Sequence, residues 1–233
     1  MSDANADRTN EPRLQEVLQW EVRSWARALP LWKRYLPAKR PLRALGIGER
    51  EGGLCLWLAC QGIDVVCSDL GPLPESTALL HARYGVTDRV EQAQADVTAL
   101  DFPDGSFDVV VFKSVIGALG SKDAQVQALK EIHRVLRPGG VLLFAENLHG
   151  TSLHRWLRKR FVAWDHYWRY LDPVADRDLF QPFAKLDDGT TGLIANLGRT
   201  EGQRDLLARL DSVLAPLVPS TQRTIWYGVA VKG

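Results

Sequence analysis

Between Ala44 and Leu54 the chain reads Ala-Leu-Gly-Ile-Gly-Glu-Arg-Glu-Gly-Gly-Leu, a turn with glycines at 46, 48, 52 and 53. Residues without side chains let a backbone bend sharply and come close to a bound molecule. Asp69 follows, 21 residues after Gly48, at the end of the next apolar run. At that distance a carboxylate can accept hydrogen bonds from both ribose hydroxyls of an adenosine group. Two other nucleotide readings fail on the same residues. The dinucleotide pattern G-x-G-x-x-G starts at Gly46 but meets Glu51 where its third glycine belongs, and a phosphate-binding loop needs Lys and Ser or Thr where the chain has Leu54 and Cys55. Glu49 and Glu51 would repel a pyrophosphate and suit a cationic sulfonium.

A second group of reactive side chains, Lys113, Ser114, Glu146, Asn147 and His149, follows two later apolar runs. Glu146 reads either as a base that orients or deprotonates a substrate hydroxyl, or as a helix-cap or ion-pair carboxylate. His149 titrates near neutral pH, or else points to solvent from a loop. Lys113 reads as a holder of an acceptor phosphate or carboxylate, or as a partner of Glu146. His81 and His133 fall on helical stretches and read as structural or solvated.

Apolar periodicity names the elements that must place these groups. Leu14, Leu18, Val22, Trp25 and Leu29 predict one amphipathic helix ended by Pro30. Leu42 to Ile47, Asp64 to Cys67, Val90 to Ala95, Phe107 to Phe112 and Val141 to Ala145 read as strands separated by helices. Lys122 to Leu136 reads as a helix stopped by Pro138-Gly139-Gly140. Strands alternating with helices predict an α/β fold: a doubly wound, mostly parallel sheet with helices on both faces. Beyond Gly150, Leu153, Trp156, Leu157, Phe161, Trp164 and Trp168 make an apolar stripe opposite Arg155, Arg158 and Lys159, flanked by His154 and His166. That stripe reads as core or as a lid over an acceptor. A helix is expected after Pro173, another from Glu201 to about Leu217, and an antiparallel last strand from Thr224 to Val231. The expected organisation is a single domain over 1–233: a tail and helices over 1–37, a cofactor-binding core over 42–147, and a cap with the rest of the sheet over 151–233.

The turn at Gly48, Asp69, Ala95-Asp96-Val97, Phe102 to Val110 and Glu131 to Gly140 together resemble the class I S-adenosylmethionine-dependent methyltransferases. The resemblance covers Leu42 to Asn147. It implies a Rossmann-like fold and S-adenosylmethionine as cofactor, held at Gly48, Glu49, Arg50, Gly52, Gly53, Asp69, Leu70, Asp96, Val97, Lys113 and Ser114. Asp96 matches the position that usually meets the adenine amino group. It also places the ends of the fourth and fifth strands beside the methyl group, so Glu146, His149 and Lys113 become the catalytic candidates. Two positions depart from the family pattern: Gly46 stands where an acidic residue is common, and Arg50 replaces the middle glycine. Arg50 reads either as a contact to the methionine carboxylate or an acidic acceptor, or as a surface partner of Glu49 or Glu51. A narrower resemblance, in Trp20-Glu21-Val22-Arg23-Ser24-Trp25, Val111 to Ser114 and Phe144 to Leu148, is to methyltransferases of bacterial surface-polysaccharide clusters, and implies a sugar hydroxyl as acceptor.

Composition bounds the partners. A net charge of +1 gives no field for bulk nucleic-acid binding, so a nucleic-acid methyltransferase rests only on Arg155, Arg158, Lys159 and Arg160. No apolar run approaches the roughly 20 residues of a membrane span, and a cytoplasmic location is expected. Cys55, Cys60 and Cys67 lack paired metal-ligand spacing and read as reduced buried thiols, and no metal is expected. The leading expectation is O-methylation of a small molecule or saccharide. N-methylation of a small amine and non-catalytic S-adenosylmethionine binding are the alternatives.

Overall fold

The computed structural model describes residues 11–39, 41–162 and 166–233. In chain order the elements are α1 (Leu14–Leu18), α2 (Val22–Trp25), α3 (Leu29–Tyr35), β1 (Arg43–Ile47), α4 (Gly53–Ala59), β2 (Asp64–Asp69), α5 (Glu75–Arg83), β3 (Val90–Gln94), β4 (Phe107–Lys113), α6 (Lys122–Val135), β5 (Leu136–Asn147), α7 (Ser152–Phe161), β6 (Lys185–Thr191), α8 (Glu201–Leu214) and β7 (Ile225–Val231). They build a seven-stranded sheet in the order β3-β2-β1-β4-β5-β7-β6. β1 to β5 pair in parallel, and β7 runs antiparallel to both β5 and β6. The doubly wound expectation holds, with the last strand of the chain reversed.

Successive strand residues face opposite sides of a sheet, and a parallel sheet is covered on both. Val109 and Val111 therefore enter one apolar cluster with α1 to α4, while Val110 and Phe112 enter another with Leu129 and Ile132 of α6. The strand order reverses between β1 and β4, which opens a crevice at the carboxyl ends of these strands.

The structure departs from the sequence expectations in four places. The single helix over Leu14 to Leu29 is three short helices, broken by left-handed backbone at Gln19 (φ 66°) and Glu21 (φ 48°). The buried residues there are Val17, Leu18, Glu21, Ser24, Trp25 and Ala28, and Leu14 is 47% exposed. Tertiary contacts outweigh the periodic stripe, and Pro30 sits in the first turn of α3 instead of ending a helix. After Pro173 there is only a short 3-10 turn, Arg177–Phe180. The sheet-edge strand β6, Lys-Leu-Asp-Asp-Gly-Thr-Thr, was not anticipated: charged residues and glycine suit an edge, where they discourage further pairing, and they carry no apolar alternation. β5 also begins at Leu136, so Pro138 to Gly140 lie within the strand, beside a register shift between Phe107 and Val109.

Candidate functional site

The glycine turn leaves β1 through Gly48 (φ 64°), Arg50 (φ 52°) and Gly52 (φ 75°), three left-handed residues in alternation. A Cβ on Gly48 would lie 2.5 Å from Val115, and one on Gly52 would lie 2.6 Å from Thr77 and 2.8 Å from His81. Arg50 adopts a conformation that glycine takes without strain, at a cost of about 1 kcal/mol or more. Its amide donates to the Asp69 Oδ2 at 2.8 Å, which ties the turn to the end of β2. The amide of Leu70 donates to the other Asp69 oxygen at 2.7 Å. His81 is buried with Nε2 3.0 Å from the Gly52 carbonyl, and its pKa is lowered by burial.

Glu49 points into the molecule. One carboxylate oxygen accepts the amides of Leu54 and Cys55 at 3.1 and 3.2 Å, at the start of α4, where N–H groups have no helical partner. The other oxygen lies 2.8 Å from where a Cβ on Gly46 would stand. Glu49 thus fills from within the turn the space that an acidic side chain at position 46 would occupy, and Gly46 is the residue that leaves it room. Burial pushes its carboxyl up to about 7. Glu49, Cys55 and Cys67, from three different elements, offer ligand atoms within 4.8 Å of one another, a proximity that sequence spacing did not reveal. Closed structural zinc sites take four ligands, and this group supplies three.

Asp96 accepts the amide and hydroxyl of Thr98 at 2.8 and 2.7 Å; Val97 is buried and Leu70 is 73% exposed. At the ends of β4 and β5, the Ser114 hydroxyl accepts from the Asn147 amide at 2.6 Å. Ser114 is itself left-handed (φ 58°), with its amide donating to Ala145 at 2.8 Å.

Lys113 and Glu146 do not pair with each other. The Lys113 ammonium is buried 2.9 Å from the Trp20 ring centroid and 5.0 Å from that of Trp25, without a hydrogen-bond partner among the described residues. Burial drives its pKa well below the usual lysine range, and Glu49, Glu146 and Glu21 oppose that shift. The Glu146 carboxylate is fully buried and accepts amides of Asn147 and Val115, each at 2.8 Å, and of Gly117 at 3.4 Å. Its geometry is that of a cap on the turn after β4, with its carboxyl pushed up to about 7 by burial. His149 is half-buried, its ring 5.9 Å from that of Tyr170 and its pKa lowered by burial and by Arg155 and Arg158.

A cavity of about 900 Å³ opens between these strand ends, the α1–α2 junction, α7 and the segment before α8. Trp20, Glu21, Arg50, Ser114 and Asn147 line one side; Leu157, Arg158, Phe161, Tyr167, Trp168 and Tyr170 line another; His154, Asn196, Arg199 and Arg204 also line it. Lys113, Glu146 and His149 are not among its lining residues. The apolar stripe of α7 divides: Leu157 and Phe161 line the cavity, Phe161 at its open edge with 68% exposure, whereas Leu153 and Trp156 do not line it and are 55% and 61% exposed. Trp168 packs where a side chain on Gly117 would stand, Trp164 lies outside the described residues, and Arg155 and Lys159 are exposed away from the cavity. Arg158 holds the carbonyls of Leu148 and His149 at 2.9 Å and lies 4.0 Å from the Tyr170 ring. Glu21, Arg199 and Arg204 were not anticipated as site residues; the only sequence signal was that Glu21 lies in the Trp20 to Trp25 motif.

Residues 45–144 match the model of a methyltransferase domain family. The ubiquinone/menaquinone biosynthesis C-methyltransferase of Hahella chejuensis is 48% identical over 126 residues, which are 50% of this chain and 49% of that protein. The malonyl-[acyl-carrier protein] O-methyltransferase of Enterobacter lignolyticus is 31% identical over 160 residues, 68% of this chain and 56% of that one. The chain spans about half the length of these two relatives. Haemonchus contortus phosphoethanolamine N-methyltransferase 2, solved with S-adenosyl-L-methionine, shares the fold with a TM-score of 0.61 at 19% identity, over 89% of this chain and 52% of that one.

Proposed function

Because the chain belongs to the class I S-adenosylmethionine-dependent methyltransferases, we propose that it transfers the cofactor's methyl group to a hydroxyl of a small molecule or saccharide bound in the 900 Å³ cavity. The observation that carries this reading is the cavity's position: it meets the glycine turn at Arg50 and the β4 and β5 ends at Ser114 and Asn147.

The residues of the turn fit the cofactor. Left-handed Gly48 and Gly52 keep the backbone bare, and Asp69 presents a carboxylate at the end of β2 for the ribose hydroxyls. Leu70, Asp96 and Val97 would flank the adenine, with Glu49, Arg50, Gly53, Lys113 and Ser114 around the methionine end. When bound, the cofactor supplies a methyl group already activated by its sulfonium charge. The protein's part is then to position an acceptor in line and exclude water. The relatives' names span C-, O- and N-methylation. A hydroxyl is favoured by the carboxylate and amide groups of Glu21 and Asn147 in the cavity wall, which can hold and deprotonate an O–H.

Isothermal titration with S-adenosylmethionine, followed by transfer of labelled methyl to a cell extract and mass identification of the product, tests the proposal. A methylated hydroxyl is the expected product. Binding without transfer would instead support a non-catalytic S-adenosylmethionine-binding protein, and a methylated amine would move the acceptor atom to nitrogen.

A further inference from the structure

The Trp20-Glu21-Val22-Arg23-Ser24-Trp25 motif forms the junction of α1 and α2, and each of its aromatic residues has a packing role. Trp25 is buried in the core, and Trp20 covers the Lys113 ammonium with the Arg50 guanidinium 5.3 Å from its ring. Glu21 has no such role. Its side chain is only 6% exposed, it lines the cavity, and its Oε1 makes no hydrogen bond among the described residues. A buried carboxylate oxygen without a donor is costly and calls for an explanation.

The backbone at Glu21 is left-handed (φ 48°, ψ 41°), which is strained for a residue with a side chain. The Glu201 carboxylate of α8 holds it there, accepting the amides of Glu21 at 3.0 Å and Val22 at 3.5 Å. The Arg23–Asp205 ion pair at 2.6 Å fixes the same two elements. Non-glycine strain held by a dedicated carboxylate, presenting another carboxylate to a cavity, is the arrangement of a positioned reactive group.

We propose that Glu21 is the general base that takes the proton from the acceptor hydroxyl, an inference that rests on the methyltransferase reading. As the hydroxyl oxygen forms its bond to the methyl carbon, its proton passes to Glu21 and the electron pair of the broken carbon–sulfur bond stays on sulfur, which becomes neutral. Glu21 then releases the proton to solvent. The arginines, Ser114 and His154 of the cavity wall are poorly suited to this step. Arginines stay protonated, and the Ser114 hydroxyl is bonded to Asn147. The His154 Nδ1 accepts the Thr151 amide at 3.2 Å in the capping box of α7, which leaves its hydrogen on Nε2. Burial raises the Glu21 carboxyl to about 7, with Ser24, Arg204 and Lys113 favouring the ionised form and Asp211 opposing it. A base near the working pH combines availability with proton affinity.

The test compares the parent with Glu21→Gln and Glu21→Asp, using labelled S-adenosylmethionine and cell extract as the acceptor source from pH 5.5 to 9. Cofactor affinity and melting temperature are measured alongside. Glu21→Gln should bind cofactor within about twofold of the parent and transfer methyl about 100-fold more slowly or worse. It should also lose the rise in rate through pH 7, and Glu21→Asp should recover part of the rate and keep that rise. Should Glu21→Gln not fold, Glu21→Asp decides: a rate equal to the parent's overturns the assignment, because a base withdrawn by one methylene is misplaced. Parent-like transfer by Glu21→Gln, or loss of rate only in step with cofactor affinity, also overturns it. If the parent itself binds cofactor and transfers nothing, the methyltransferase reading fails and the base falls with it.

Discussion

Three carboxyls, Glu21, Glu49 and Glu146, surround the buried Lys113 ammonium, and burial raises each to about 7. Glu49 offers the clearest stability test because it stands outside the cavity and holds the start of α4. Its folded pKa lies above the ordinary 4.5, so the folded protein keeps a proton that the unfolded chain releases. That contribution is present in full below about pH 4.5 and is lost as pH rises through 7. Glu49→Gln, which can still accept an amide, does not titrate. Relative to the parent it should gain on the order of 3 kcal/mol between pH 4.5 and 8, at about 1.4 kcal/mol per tenfold change in proton affinity. Equal slopes of stability against pH for the two proteins, from denaturant titrations, would show that Glu49 is not the titrating group. Asp69 belongs to the same scale. Asp69→Ala should weaken S-adenosylmethionine binding at least tenfold, since hydrogen bonds to a charged group contribute roughly 1.5–3 kcal/mol. Calorimetry showing equal affinity would displace the ribose from this carboxylate.

At the scale of elements, the N-terminal helices meet α8 through Glu201, α7 meets the end of β5 through Arg158, and Trp168, in the segment after α7, packs at Gly117. Glu201→Ala leaves the amides of Glu21 and Val22 without their acceptor, and a part-buried N–H in that state costs about 1–3 kcal/mol. Thermal unfolding should show that loss together with slower methyl transfer, and an unchanged melting temperature would mean that the junction is held elsewhere. Trp168 faces the cavity with its ring 6.1 Å from that of Tyr170. Trp168→Ala should raise the apparent acceptor constant about tenfold, equivalent to roughly 1.4 kcal/mol, with cofactor affinity near normal. Lower stability with an unchanged acceptor constant would assign this aromatic segment to the core.

For the whole molecule, the crevice beyond β1 and β4 joins parts of the sheet that are distant in the chain. A ligand that binds only the folded state stabilises all of it by mass action, about 2.7 kcal/mol at 100 times the dissociation constant. S-adenosylmethionine should therefore raise the melting temperature of the parent in a concentration-dependent way, and Asp69→Ala should lose most of the shift. Among the described residues no helix is long and apolar enough to cross a membrane.

The sequence by itself determined the parallel strands β1 to β5, helix α6, and the turn and Asp69 between them. β1, β2 and the centre of β5 are written locally, as runs of apolar residues bounded by glycine, proline or a carboxylate, and such runs favour strand backbone and burial. Only the tertiary structure decided the break at Gln19 to Glu21, because its causes are Lys113 and Glu201, far away in sequence. The same holds for β6, whose polar residues form a strand only because β7 offers them an edge. Glu49 and Glu146 look alike to Glu21 in sequence; amides at 2.8 to 3.2 Å occupy the first two. Glu21 and Glu49 each keep one unpaired oxygen, and Glu21 differs in being the carboxylate that faces the cavity. Whether a carboxylate caps a backbone or meets a substrate depends on which donors folding brings to it, and periodicity along the chain carries no record of those donors.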